Sequence, residues 1–287
     1  MNINLNQRFS DNSIFFLALF IIILILSPTL TLFFENINQN SDYLKFFSSS
    51  EFLSYTKNSA IILIAVLFLT LFFGGLSAYL VSFYEFAGVN FFKYALLLSF
   101  AIPPYIYAYT LSAFFENFGI AYSLVSFFSE DFSKTFIPKI DPLAGSIISL
   151  SLTLFGYVFI LARSTFLNQS RDLIEVGKSL GFNNIDTLFK IIIPTARPAI
   201  FVGLSLVAME TLSDFGTVSF FGVSTFTTGI YNSWFIFDDL KTANFLSLFL
   251  IFFILFFFGL ESISRKNIKF FNSNNSFNKK NKKVILS

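Results

Sequence analysis

Apolar residues along the chain do not alternate with polar ones at the short periods of a water-soluble fold. They form long runs at regular intervals, at residues 14–34, 59–84, 94–115, 143–167, 198–223 and 243–260. Interruptions are few: Ser27-Pro28 in the first run, Gly74-Gly75 in the second, Pro103-Pro104 in the third. Each run has roughly the 17–25 residues that a helix needs to cross about 30 Å of hydrocarbon. Backbone polar groups find no water at that depth, so each run must form a helix that satisfies its own hydrogen bonds. The expected fold class is therefore all-α and integral to the membrane, with six transmembrane helices. The first run is too long for a signal-peptide core and no small-residue cleavage site follows it, so it is read as a retained span.

Composition agrees and removes several functions. Of 287 residues, 55% are apolar and 13% charged, against about 25% charged in an average soluble domain. Mean hydropathy is +0.71. There is no Cys and no His, which excludes disulfides, thiolate or imidazole metal sites, Cys nucleophiles and His acid–base chemistry. A net charge of +2 is too small to suggest a nucleic-acid partner. No GxxxxGK[ST] phosphate loop occurs, so the chain does not hydrolyse ATP by that route. No nucleophile or acid–base constellation marks an enzyme. The 46 Phe residues read as lipid-facing packing and A/T-rich coding, without functional weight.

Lys and Arg positions set the expected sidedness. With the N-terminus in the cytoplasm, cytoplasmic segments hold fourteen basic residues and outer segments five. Both termini then lie inside. The organisation expected is a cytoplasmic N-terminus at 1–13, a transmembrane domain at 14–262 with a cytoplasmic loop at 168–197, and a basic tail at 263–287 that touches anionic lipid headgroups.

That loop carries the most information. Asp172 and Glu175 have capping-box spacing with Asp in place of Ser or Thr. Leu173, Val176 and Leu180 share a helix face. Gly181 suits the left-handed residue that ends a helix. Asn183 can cap a second short helix with Asp186 in its first turn. Ile185, Leu188 and Ile192 then form an apolar stripe, and Pro194 is expected to end it. Such a helix–Gly–helix unit either packs on the membrane surface or inserts into a groove of a cytosolic partner.

Other residues carry possible transport chemistry. Glu210 and Asp214 are four apart, hence on one helix face. A charge at membrane depth costs at least ~2.5 kcal/mol, so it faces a cavity or a partner. They either line a gate that attracts a cation, or Asp214 sits at the watery helix end while Glu210 pairs with another helix. Pro103 and Pro104 remove two backbone donors and break the third span, which is tolerated where backbone lines a cavity. Tyr105, Tyr107 and Tyr109 follow, at a packing or interfacial position. Thr225, Thr227, Thr228 and Gly229 either dock an external protein or turn the chain back.

The loop resembles the EAA loop of type I ABC importer permeases, with Glu175, Gly181, Ile191 and Pro194 in register. Val176, Gly177 and Ile193 depart from the consensus toward small or apolar residues. Residues 101–109, 209–218 and 221–234 are similar to permeases of ferric-iron ABC importers, in particular to their N-terminal halves. The resemblance implies a non-enzymatic, multi-pass subunit of the cell inner membrane that binds no cofactor directly. ATP would sit on a partner ATPase dimer docked at Asp172, Glu175, Gly177, Gly181, Ile191 and Pro194. A periplasmic or extracellular binding protein would deliver the substrate, ferric iron, to a pathway near Glu210, Asp214, Pro103, Pro104 and Tyr105. Members usually carry two such halves in one chain and this chain has one loop. A second permease half, a homodimer or a truncated half is then implied. Molybdate, thiamine or a polyamine are alternative substrates, and an ion-gradient transporter or channel is the rival outside the ABC class.

Overall fold

In a computed structural model, residues 5–37, 49–116, 119–126, 139–168, 172–266 and 284–285 are described. Nearly all of them are helical. The long helices are α1 (Leu5–Ile37), α2 (Ser50–Phe83), α6 (Pro142–Asn168), α9 (Ile193–Ser213) and α12 (Leu240–Lys266). Between them lie α3 (Val89–Ala95), α4 (Pro104–Phe115), α5 (Ile120–Ser126), α7 (Asp172–Ser179), α8 (Asn184–Thr187), α10 (Gly216–Phe220) and α11 (Phe226–Tyr231). A two-residue parallel pairing joins Tyr84–Glu85 to Val284–Ile285. Five helices are long and apolar enough to cross a membrane, and a sixth span results if the bent α3–α4 pair counts as one.

The centre is a seam between α2 and α6, with α9 packed against both. The buried face of α2 repeats about every fourth residue: Ser59, Ile62, Val66, Thr70, Gly74, Ala78 and Ser82. Opposite it, α6 buries Ser146, Ser149, Ser151 and Thr153 together with Leu150, Leu154 and Val158. Inside a membrane, lipid tails are as apolar as leucine. Helix association therefore comes from close approach of small residues and from hydroxyl bonds rather than from hydrophobicity. Thr70, Ser146 and Thr153 turn their hydroxyls back onto their own helix, Thr153 onto the Ser149 carbonyl at 2.8 Å, whereas the hydroxyls of Ser82, Ser149 and Ser151 are buried without a partner among the described residues.

The apolar core falls into three clusters along the long axis. One, near the start of α2, joins Phe52, Leu212, Phe226, Leu246 and Leu250. A middle one holds Ile62, Val66, Leu150, Val158 and Val207. The third, near the α7–α8 hairpin, holds Ala78, Phe159, Phe166, Ile192 and Ala196.

Several boundaries differ from those read off hydropathy, the second helix for example starting at Ser50 rather than residue 59. The first run is part of a longer helix, since α1 starts at Leu5 and continues through Pro28. The fifth helix runs over Ile193–Ser213 rather than 198–223. Residues 214–223, half of them apolar, form the turn and short helix α10. Nor does Pro194 end the second arm of the loop. The tail beyond residue 266, apart from 284–285, lies outside the described residues, as do Lys45 and Lys134.

Candidate coupling loop and translocation site

The loop folds as a helical hairpin. Gly181 has φ +78°, a conformation that costs other L-residues about 1–2 kcal/mol. The Phe182 N–H donates to the Gly177 carbonyl at 2.9 Å and the Gly181 N–H to the Lys178 carbonyl at 3.0 Å. Together these make a complete Schellman closure of α7. Asn183 then opens α8: its Oδ1 accepts the Asp186 N–H at 2.6 Å. Asp186 pairs with Lys190 at 2.9 Å, and the Lys190 ammonium lies 4.8 Å from the Phe182 ring centre. Gly177 is where the two arms touch. A Cβ there would fall 2.6 Å from Thr187 Oγ1, so an alanine would not fit without movement.

The apolar stripe of the second arm splits. Ile192 is 3% exposed and packs in the core, while Ile185 is 68% exposed. Leu180 and Phe189 stand out with Ile185, at 62% and 63%. The split comes from a π-turn over Leu188–Ile192, where one extra residue per turn rotates the face. Phe189, four residues after Ile185, was not singled out by sequence. Glu175 is exposed and Ile191 half-buried. The side chains of Asp172, Leu173 and Val176 lie outside the described residues, so the capping-box expectation does too.

Pro194 sits in the first turn of α9, where no N–H is needed. Just before it, the Ile193 N–H donates to the Leu188 carbonyl. The missing donor is thus placed where it does no harm. Hairpin arm and span become one continuous rod over Ile185–Ser213, 29 residues or about 43 Å at 1.5 Å per residue.

At the other end of that rod, Glu210 and Asp214 part company. The backbone leaves the helix at Asp214, with φ −65° and ψ 127°. Its carboxylate turns to the next helix, accepting the Thr217 N–H at 3.0 Å and hydroxyl at 3.2 Å, and the Val218 N–H at 3.3 Å. Asp214 therefore starts α10. Glu210 stays on α9, exposed, and accepts the Tyr157 hydroxyl at 3.5 Å.

The return loop is latched to α2. Asn58 Nδ2 donates to the Ser224 carbonyl at 2.9 Å and the Phe226 N–H to Ser59 Oγ at 3.3 Å, while Thr227 Oγ1 ties the loop to the end of α9 through the Asp214 carbonyl at 2.7 Å. Thr225 and Thr228 form a buried capping box for α11, and Gly229 abuts the Tyr55 ring. Thr225 and Thr228 thus turn the chain back from inside the fold.

The third span breaks at the proline pair. Ile102 is extended, Pro103 has φ −57° and ψ 140°, and Pro104 opens α4. The segments Val89–Ala101 and Pro104–Leu124 meet at 98°. Before the break, Phe100 packs edge-on to Tyr157 at 4.8 Å. After it, Tyr105 rests on Gly216. The break thus has Tyr157, the partner of Glu210, on one side and the start of α10 on the other. Beside it lies an open groove of about 460 Å³ lined by Tyr105, Tyr109, Phe215 and Phe220 among others. Among the described residues no group of three or more His, Cys, Asp or Glu could hold a metal ion. Sequence reasoning missed Tyr157, whose role depends wholly on packing, and Glu261, buried in α12 just past the last apolar run.

Comparison with known proteins fits this geometry. The family model for the binding-protein-dependent transport system inner membrane component matches residues 61–269. The Fe(3+)-transport system permease protein FbpB 2 of Haemophilus influenzae is 27% identical over 190 residues, 66% of this chain and 33% of that protein. The probable sulfate transport system permease protein cysT of Chlorella vulgaris is 27% identical over 146 residues, 51% of this chain and 52% of that one. The chain thus spans a third to a half of the length of these relatives. A bacterial ABC transporter involved in the import of the acidic polysaccharide alginate shares the fold, with TM-score 0.70 at 16% identity over 92% of this chain and 99% of that one. The chain belongs to the binding-protein-dependent transport system inner membrane components, and it is an integral, multi-pass inner-membrane permease of the type I ABC importer class.

Proposed function

We propose that this permease couples ATP hydrolysis on a separate ATPase dimer to the uptake of ferric iron delivered by a binding protein. In this reading the hairpin faces the cytoplasm, both termini lie on that side, and a second permease chain or a second copy completes the pathway. The observation that carries it is the continuous rod from Ile185 to Ser213. One of its ends carries the exposed Ile185 and Phe189, with Leu180 of the first arm beside the turn, an apolar tip suited to a groove on a partner. The other end carries Glu210, beside the broken third span. A push on the tip would be carried along this helix, through the π-turn at Leu188–Ile192, toward Glu210.

Within the hairpin, Gly181 and the Asn183 cap fix the angle between the arms, Gly177 lets them close, and Pro194 keeps the joint inside a helix. Glu175, exposed on α7, and Asp172 at its start would meet the ATPase. Glu210 would attract a cation at the break formed by Pro103 and Pro104, with Tyr105 on its far wall. Asp214 would hold the return loop that shapes the outer mouth.

A second substrate reading is sulfate, which the sulfate permeases among the relatives favour. An exposed carboxylate on the pathway repels a dianion, so Glu210 favours the cation. The test is uptake of labelled ferric iron by the assembled transporter, with sulfate as competitor. Uptake of labelled sulfate and none of labelled ferric iron would reverse the substrate assignment. Substrate-stimulated ATP hydrolysis unchanged in both Gly181→Pro and Glu175→Lys would refute the coupling role.

A further inference from the structure

Arg197 stands outside everything described so far. It lies on α9 sixteen residues before Ser213, hence about 24 Å along the helix. Measured from that end, the hydrocarbon is about 30 Å thick, so the Cα of Arg197 sits roughly one helical turn inside the apolar layer. A guanidinium there must pair or reach for the interface. Among the described residues no carboxylate pairs with it, the ion pair found being Lys190–Asp186. Arg197 is exposed and lines the half nearer the hairpin of a groove of about 480 Å³ between α2 and α9. The other walls are apolar: Leu71, Ile193, Phe201 and Leu204, with the ring of Pro198. Phe201 and Leu204 continue away from Arg197 toward mid-membrane.

One cation at the rim of an otherwise apolar, membrane-embedded groove complements one class of molecule, with a single anionic head and a long apolar tail. We propose that this groove binds an anionic phospholipid, its phosphate on the Arg197 guanidinium and an acyl chain along Leu71, Phe201 and Leu204. Basic pockets between transmembrane helices take such headgroups, and a planar guanidinium suits a phosphate better than a point charge. The site lies on the rod that joins hairpin to pathway, so an occupied groove would bias its movement. The leaflet follows from the sidedness proposed above; the binding itself does not.

The experiment uses the full chain, purified in mild detergent and exposed to phosphatidylglycerol or phosphatidylcholine, with bound lipid read by native mass spectrometry. Wild type should retain one phosphatidylglycerol in preference to phosphatidylcholine. Arg197→Gln should lose that preference by about tenfold, the order of one charge-assisted contact, and Arg197→Lys should keep part of it. Leu71→Trp, which fills the groove and leaves the charge, should also expel the lipid. Replacing the tail lysines Lys279, Lys280, Lys282 and Lys283 by Gln should lower non-specific retention only. Equal retention of both lipids by wild type, or unchanged retention in Arg197→Gln, would overturn the proposal. So would a disulfide from Phe201→Cys to a second permease chain, which would place protein in the groove. Failure to find an ATPase partner would count against the proposed function and leave this result standing.

Discussion

α1 and α6 make an instructive pair. The spanning part of α1, Phe15–Phe34, has a mean hydropathy of 2.6 and none of it is buried in the chain. The spanning part of α6, Pro142–Leu167, has a lower mean hydropathy of 2.0 and 56% of it is buried. In water the order would be the reverse. In a bilayer the apolar helix is at home in lipid, and the helix rich in Ser, Thr and Gly is drawn inward, where small side chains let backbones approach closely. α2 shows both habits at once. It matches α1 in hydropathy at 2.6, yet its four-residue repeat of small residues faces α6 and its Leu and Phe residues face outward. Burial in this protein follows side-chain size and polarity more than hydrophobicity.

The contrast can be broken most severely at the seam. Gly74 lies against the Phe155 carbonyl, and Gly74→Leu should cost about 3 kcal/mol or more by overpacking. The expected readout is a large fall in midpoint temperature in detergent, or loss of the folded peak on size exclusion. Ile22→Ala in α1 removes as many carbons as Leu→Ala does in a core, where about 2–5 kcal/mol is lost. Because Ile22 is exposed, its midpoint should barely move. A large shift for Ile22→Ala, or none for Gly74→Leu, would reverse the assignment of core and lipid face.

The hairpin offers a second, smaller test of close approach. Gly177→Ala should destabilise by about 1–3 kcal/mol through contact with Thr187. Thr187→Ala removes the two nearest atoms, so the double variant should recover part of the loss. Additive single effects in that double-mutant cycle would show that the arms do not touch there. Gly181→Ala should cost about 1 kcal/mol from its left-handed backbone and lower coupled ATP hydrolysis more than it lowers stability. An unchanged ratio of the two would confine Gly181 to a folding role.

The smallest effect lies at the start of α12. Asp239 caps that helix, accepting the Thr242 hydroxyl at 2.6 Å and the Lys241 and Thr242 N–H groups at 3.1 Å. These bonds, the Thr242 hydroxyl first, hold its carboxyl below the usual carboxylate range. A depressed folded-state pKa means stability that is present above the unfolded value near 4 and fades as pH falls through the folded one. Asp239→Asn should therefore flatten a shallow loss of thermal stability below about pH 4. An equally steep acid limb in the variant would remove Asp239 as its source.

Much of this molecule was legible from local rules. The Gly181 closure, the Asn183 cap and the break at Pro103-Pro104 all depend on a residue and its near neighbours, and each is found where the sequence places it. The end of the fifth helix was not legible. Half of residues 214–223 are apolar, which lets hydropathy carry it on to 223, and only the bonds from Thr217 and Val218 to Asp214, with the latch to Asn58 and Ser59 more than 160 residues away, turn the chain. For the same reason sequence put Glu210 and Asp214 on one face. Spacing of four implies that only while the helix lasts, and it ends between them.

By itself, then, the sequence determined membrane residence, the number of apolar spans, the hairpin and its turn chemistry, since these follow from hydropathy, backbone donors and φ preference within a few residues. Tertiary structure decided which faces are buried, where Tyr157 meets Glu210, and where the chain turns back after Asp214. Those outcomes depend on contacts between residues far apart in the chain, whose energies no local pattern encodes.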